Sequence, residues 1–316
     1  DNLYKARIKI LVKALSPEKF SQQVEQEWQH LKDGPSTLTQ AELDRVSKDF
    51  APPVYEKLAD TDASYEQHLL ENKAFARWVE RNVAPHKVAG YAAVTLSLKP
   101  NGVAPGDATD AQMDTVADWA DAYSLGELRV SHEQNLILAN VKKRDLFELW
   151  EKAKAAGFAT PNIGLLTDII ACPGGDFCSL ANAKSIPIAQ AIQERFDDLD
   201  YVYDLGEMSL NISGCMNSCG HHHVGNIGIL GVDKDGAEWY QISLGGEQGT
   251  GADGLKLGRV IGPSFSAHEV PDVISTLVDT FVESRIDGER FIDTYQRIGL
   301  APFKERVYAA RQPAHA

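Results

Sequence analysis

The chain has 316 residues, 43% of them hydrophobic and 24% charged, and its 45 acidic against 31 basic side chains give a net charge of −14. That length supports two domains with separate cores, and that charge excludes general binding to a phosphate backbone, which it would repel at long range. No apolar run approaches the ~18 residues a membrane-spanning helix needs, and the basic start Tyr4-Lys5-Ala6-Arg7 leads into no signal-like stretch. The expectation is a cytoplasmic protein with no nucleic-acid and no membrane partner. The chain begins at Asp1, and its methionines are Met113, Met208 and Met216, so a processed chain or a fragment is expected.

Residues 1–80 read as a helical linker segment. Ala6 to Leu15 is a mixed apolar and basic helix, and Ser16-Pro17 reads as an N-cap followed by proline at the first helical position. A polar helix is expected over about 66–81, with breakers at Asp33-Gly34-Pro35 and Ala51-Pro52-Pro53. From Lys87 the pattern changes to strand (88–98), helix (110–123), two strands (127–131 and 135–139) and helix (145–156). That is a small α+β unit, and 81–156 is its expected extent. In 157–316, a helix is expected over 181–196 and a strand over 208–213. An antiparallel pair, 226–232 and 239–244, joins across Asp233-Lys234-Asp235-Gly236, and a long helical region runs from 270 to 298, interrupted at Gly288.

The chain has four cysteines, all within 48 residues: Cys172-Pro-Gly-Gly-Asp-Phe-Cys178 and Cys215-Met-Asn-Ser-Cys219. The C-x5-C and C-x3-C spacings suit zinc knuckles poorly, and the C-x2-C of a thioredoxin-like site is absent. Four thiolates at loose spacing suit a cubane cluster, which is larger than one ion and is normally held by four cysteines. Pro173, Gly174 and Gly175 let the backbone turn closely around such a core. A helix starting near Ser179 would place its positive end beside Cys178. Gly214 and Gly220 bracket the second pair. A zinc-stabilised domain and four plain buried thiols remain the alternatives at this point.

These segments, Ala171-Cys172 to Cys178-Ser179-Leu180-Ala181 and Ser213-Gly214-Cys215 to Cys219-Gly220, resemble the cluster-binding segments of siroheme-dependent sulfite and nitrite reductases. Glu127-Leu128-Arg129-Val130 with Gln134-Asn135-Leu136-Ile137-Leu138 resembles the family's ferredoxin-like half-domain, and Leu244-Gly245-Gly246 also fits. The resemblance implies an α+β fold: a helical N-terminal segment, the half-domain, then an α/β cluster-binding domain. It implies a [4Fe-4S] cluster on Cys172, Cys178, Cys215 and Cys219, with Cys219 also the axial ligand of a siroheme and hence the catalytic position. Ala171 and Asn217 would lie against the siroheme. The implied reaction is six-electron reduction of a small anion, sulfite to sulfide or nitrite to ammonia, with electrons from a ferredoxin or a flavoprotein.

Family members contain two related halves, and this chain resembles the carboxy-terminal one. The basic residues that grip siroheme and substrate would come mostly from an amino-terminal partner half, so this chain alone is expected to be inactive. His221-His222-His223 read as solvated, and Arg129, His132, Lys256 and Arg259 read as exposed. The rival classes are an electron-transfer or cluster-sensing module and a zinc-stabilised structural domain.

Overall fold

The computed structural model describes residues 7–249 and 254–310. The chain divides into two compact units, Asp1–Tyr55 and Glu56–Ala316.

In the first unit the helices are α1 (Ile8–Leu15), α2 (Pro17–Leu31) and α3 (Gln40–Asp49). The Ser16 hydroxyl accepts from the Lys19 amide and Pro17 opens α2, the cap expected there. Thr39 caps α3 in the same way. None of the three helices buries a residue, and Val24, Trp28 and Leu31 leave an apolar stripe open along α2.

The second unit opens with α4 (Ala63–Glu71) and α5 (Lys73–Asn82), separate helices where one was expected. Asn72 is extended and its carboxamide caps α5 at the Phe75 amide, which ends one helix and starts the next. A four-stranded antiparallel sheet of order β1-β2-β4-β3 follows: β1 (Val83–Pro85), β2 (Tyr91–Leu96), β3 (Leu128–Val130) and β4 (Leu136–Lys142). Between β2 and β3 lies α6 (Asp110–Tyr123), started by a Thr109–Gln112 capping box, and after β4 comes α7 (Leu146–Ala156), ended by Gly157 at φ 83°. Phe75 and Trp78 of α5 are fully buried with Val94, Leu138, Leu149 and Phe158, so this helix belongs to the core of the sheet.

A second, five-stranded sheet has the order β5-β6-β7-β8-β9: β5 (Ile170–Ala171), β6 (Leu210–Ser213), β7 (Ile227–Lys234), β8 (Ala237–Leu244) and β9 (Arg259–Val260). β5, β6 and β7 are parallel, and β8 and β9 return antiparallel. Every residue of β6 is buried, as expected for a parallel strand covered on both faces. The β7–β8 hairpin closes on Asp235-Gly236, both at positive φ, as a two-residue turn requires. The β5–β6 crossover carries α8 (Ile186–Arg195) and α9 (Leu199–Leu205). The tail forms α10 (Val270–Ser284), α11 (Phe291–Ile298) and α12 (Ala301–Ala310). Ile192, Ile212, Ile229, Ile242, Ile274 and Leu277 lie at the centre of this core.

The chain is thus α+β, the class expected from its sequence. The helix expected over 181–196 is shorter: it starts only at Ile186. Asn182 and Ala183 both donate their amides to the Gly214 carbonyl, at 2.8 and 3.0 Å, so this stretch is tied to the strand-end loop rather than to a helical turn.

Between the two sheets, the fully buried Lys99 forms an ion pair at 2.6 Å with the largely buried Asp168. The same carboxylate accepts from the Asn135 carboxamide at 3.1 Å and the Gly164 amide at 3.0 Å, and Lys99 Nζ also donates to the Glu133 carbonyl.

Candidate metal centre

The four cysteines hang from two neighbouring parallel strands. Ala171 of β5 pairs with Ile212 of β6, so the chain leaves both strands at the same end of the sheet, into Cys172 on one side and Gly214-Cys215 on the other. The Cys172 amide donates to the Ile212 carbonyl at 3.1 Å. The Gly214 amide donates to Cys172 Sγ at 3.0 Å, and the Ser185 hydroxyl stands 3.4 Å from the same sulfur. An N–H aimed at sulfur stabilises a thiolate and is the usual support of a metal-bound one.

The intervening loops are held by backbone. In the first, Gly174–Asp176 make a single 3-10 turn, the Cys178 amide donates to the Gly174 carbonyl at 2.9 Å, and Gly175 donates to Ala183 at 3.0 Å. In the second, the Ser218 amide donates to the Cys215 carbonyl and the Gly220 amide to the Ser213 hydroxyl. Three glycines of these loops are required sterically: a Cβ on Gly174 would lie 2.4 Å from the Ser185 amide nitrogen, one on Gly214 2.6 Å from the Ala183 carbonyl oxygen, and one on Gly220 would overlap the Ile212 carbonyl oxygen.

No helix begins at Ser179, so the expected helix end beside Cys178 is not part of the site. Its amide donors come instead from the adjacent strand-end loop.

Cys172 and Cys215 are buried, at 8% and 7% exposure, while Cys178 is part-exposed and Cys219 exposed. Ala171 is buried in β5 and Asn217 is exposed. Phe177, Leu180 and Met216, neighbours of these cysteines in sequence, are large apolar side chains left 65–78% exposed. Among the described residues no three His, Cys, Asp or Glu side chains stand close enough to share one metal ion. A structural zinc site draws four donors onto one ion; a cubane spreads them over four irons. The donor set, the amide to sulfur and the small bracketing residues fit the latter. Siroheme, with its many carboxylates, needs paired cations. Beside these loops Lys184 is engaged by Asp176 at 3.0 Å, and no free basic cluster stands among the described loop residues.

The histidines after Cys219 differ from expectation. His221 and His223 are exposed, but His222 is buried at 3%. Burial, with the adjacent His223, pushes its imidazole down to about 4, and its Nδ1 has no hydrogen-bond partner. Arg129, His132, Lys256 and Arg259 are exposed as expected; Arg129 is paired with Glu127 and Lys256 with Glu247.

A cavity of about 630 Å³ opens elsewhere on the second sheet. It is lined by Glu133, Asp168, Glu207 and Glu247 against Arg290, and no cysteine borders it.

Three contributors to the site were not singled out from sequence: Ser185, the Gly214 amide and Gln134. The first two act through backbone geometry or a common hydroxyl and leave no pattern. The Gln134 carboxamide bonds Ala171 on both sides, accepting from its amide and donating to its carbonyl, each at 2.8 Å. The pair Gln134-Asn135 stood in view, but only the fold shows what it reaches.

The two sheets and their loops define a ferredoxin-like half-domain joined to a cysteine-bearing α/β domain. Residues 85–156 match the family profile described as the nitrite/sulfite reductase ferredoxin-like half domain, and residues 165–313 match the nitrite and sulphite reductase 4Fe-4S domain. The chain belongs to this family of nitrite and sulfite reductases, which use a 4Fe-4S cluster and siroheme. It is 30% identical over 194 residues to an assimilatory ferredoxin-dependent nitrite reductase of Haloferax mediterranei, covering 60% of this chain and 33% of that one. It is 28% identical over 243 residues to a ferredoxin sulfite reductase of Mycolicibacterium paratuberculosis, covering 71% and 43%. The structure of the NirA protein of Mycobacterium tuberculosis superposes with a TM-score of 0.60 at 25% identity, over 95% of this chain and 49% of that one. The chain therefore spans less than half the length of these relatives.

Proposed function

We propose that this chain is the cluster-bearing half of a siroheme-dependent assimilatory sulfite reductase. Residues 1–80 would be a helical linker segment whose last helix, α5, packs into the core of the half-domain at 81–156, and 157–316 would be the cluster and siroheme domain. Cys172, Cys178, Cys215 and Cys219 hold the [4Fe-4S] cluster. Cys219 would also be the residue that holds the siroheme, with Ala171 and Asn217 beside it. The observation that carries this reading is the Gly214 amide bonded to Cys172 Sγ across two parallel strand ends, because it joins both cysteine pairs in one built cradle. When bound, cluster and siroheme together supply single electrons to an anion undergoing six-electron reduction; this chain's residues hold the thiolates and keep water from the inner pair. Exposure of Cys219 agrees with a ligand that must meet a second group.

Nitrite is the alternative substrate, since both kinds of reductase stand among the relatives. The relatives' names support a ferredoxin as donor, with a flavoprotein as the other option. The amino-terminal half would supply the cations that siroheme and the substrate anion require, and the location is proposed as cytoplasmic. No helix among the described residues is long and apolar enough to cross a membrane.

Anaerobic reconstitution with iron and sulfide tests the cluster. Four irons and four acid-labile sulfides per chain are expected, with loss of the visible band in Cys172→Ala and Cys215→Ala. Stoichiometric zinc binding, with no sulfide retained under the same conditions, would overturn it.

A further inference from the structure

β5 is an edge strand of two residues, with β6 on one side and, among the described residues, no strand on the other. Its free side is closed by one side chain. The Gln134 carboxamide accepts from the Ala171 amide and donates to the Ala171 carbonyl, so it makes the two bonds that a neighbouring strand would make. Ala171 is the residue before Cys172.

The half-domain is arranged around this contact. Gln134 sits in a turn whose amide donates to the Ser131 carbonyl at 3.1 Å, and it holds φ at 60°, a region that L residues other than Asn and Asp seldom enter. Backbone held there by its surroundings points to a positional requirement. Gly106 packs against the Gln134 side chain, where a Cβ would approach the Gln134 Cβ to 3.0 Å. The next residue, Asn135, accepts from the Leu98 amide and donates to Asp168, whose partner Lys99 is also tied to the carbonyl of Glu133. The turn 131–135 is therefore bound on both flanks, and Gln134 is its reaching element.

We infer that Gln134 is a positioning residue: from the half-domain it fixes the Ala171 peptide and thereby sets where Cys172 Sγ stands for the cluster. Cys172 is then held from three directions. Gln134 pins the preceding peptide, Ile212 accepts its amide, and the Gly214 amide meets its sulfur. The other three cysteines have no such link to the half-domain among the described contacts. The inference rests on Cys172 being a cluster ligand, as proposed above.

The test is site-resolved alkylation of the iron-free full chain by iodoacetamide, read peptide by peptide in a mass spectrometer, for the parent, Gln134→Leu and Gln134→Glu. Leucine keeps the volume and removes both bonds; glutamate keeps the acceptor and loses the donor. Cys172 should react about tenfold faster in Gln134→Leu and by an intermediate factor in Gln134→Glu, with Cys178 and Cys215 within twofold of the parent. If the leucine variant fails to fold, the glutamate variant carries the same comparison. An unchanged Cys172 rate, or equal acceleration of every thiol, overturns the inference. After anaerobic reconstitution, the reduced cluster of Gln134→Leu should show displaced EPR g values, and a spectrum identical to the parent's also overturns it. A parent chain that binds no iron while Cys172 still responds to Gln134 would defeat the ligand assignment and leave the clamp standing.

Discussion

Two side chains decide much at the site, and both are open to direct test. Gly220 follows Cys219 with no room for a side chain, because a Cβ would overlap the Ile212 carbonyl oxygen inside β6. Relief requires a backbone shift, and overpacking of this kind costs about 1–3 kcal/mol or more. Gly220→Ala is expected to lower the unfolding free energy measured in urea by that amount and to reduce iron retention, read as iron per chain after desalting. His222 gives a pH dependence whose sign follows from its burial. Its imidazole titrates near 4 in the folded chain against about 6.5 when unfolded. Between these values the unfolded chain takes up a proton that the folded chain refuses. Stability is therefore full above pH 6.5 and falls as pH drops towards 4, by up to about 3 kcal/mol. His222→Phe should flatten that portion of the curve in urea titrations at pH 7, 6 and 5; an identical slope in the variant would reject the assignment.

Among elements, the joint between the half-domain and the cysteine-bearing sheet includes the largely buried Lys99–Asp168 ion pair, beside the Gln134–Ala171 bonds. Removing one partner of such a pair leaves a charge uncompensated and costs about 3–5 kcal/mol. Lys99→Met should show that loss in equilibrium unfolding, and Lys99→Met with Asp168→Leu should recover a large part of it. A double variant no better than the single would show that Asp168 is held by Asn135 and Gly164 rather than by the lysine. At this scale the sequence was readable where the pattern is local. The β7–β8 hairpin follows from alternating apolar residues around Asp235-Gly236, and α2 announces itself by Ser16-Pro17. It was unreadable where a distant group decides. β5 is two residues long and exists through β6 and Gln134, and Ala181–Ser185 have a helix-like composition but are pulled straight by the Gly214 carbonyl. The burial of His222 has the same origin: three equal residues in sequence are sorted only by the fold. The cysteine spacing and its glycines were legible because steric need leaves a composition behind, whereas the amide donor to Cys172 was not, since every residue carries one.

For the whole molecule, charge and exposed apolar surface agree about what the chain lacks. A net charge of −14 gives no general attraction for a polycarboxylate macrocycle or a small anion, and the cavity of about 630 Å³ is itself acidic. Phe177, Leu180 and Met216 meanwhile stand open beside the cysteines. Isolated from its proposed amino-terminal half, the chain is expected to take up the cluster but to retain no siroheme through gel filtration. It should also give no sulfide from sulfite, nor ammonia from nitrite, with reduced methyl viologen. A stable siroheme band with turnover from this chain alone would contradict the division of labour. Co-expression with the other half should restore both, and the preferred anion can then be read from relative kcat/KM.

The parallel pairing of β5 with β6 joins residues some 40 positions apart, and Cys172 and Cys215 follow directly from that pairing. A pairing of such separation must offset the loop-closure entropy of the crossover that carries α8 and α9. On the proposed assignment of the four cysteines to one cluster, the two cysteine loops meet only once this pairing has formed, and iron uptake would report that step of folding. A chain stalled before this pairing offers two separate loops, each with two ligands, too few to retain a cubane. In refolding by dilution under anaerobic conditions, the iron–sulfur absorbance should rise no faster than β6 amide protection, and each kinetic trap that delays the crossover should delay the colour equally.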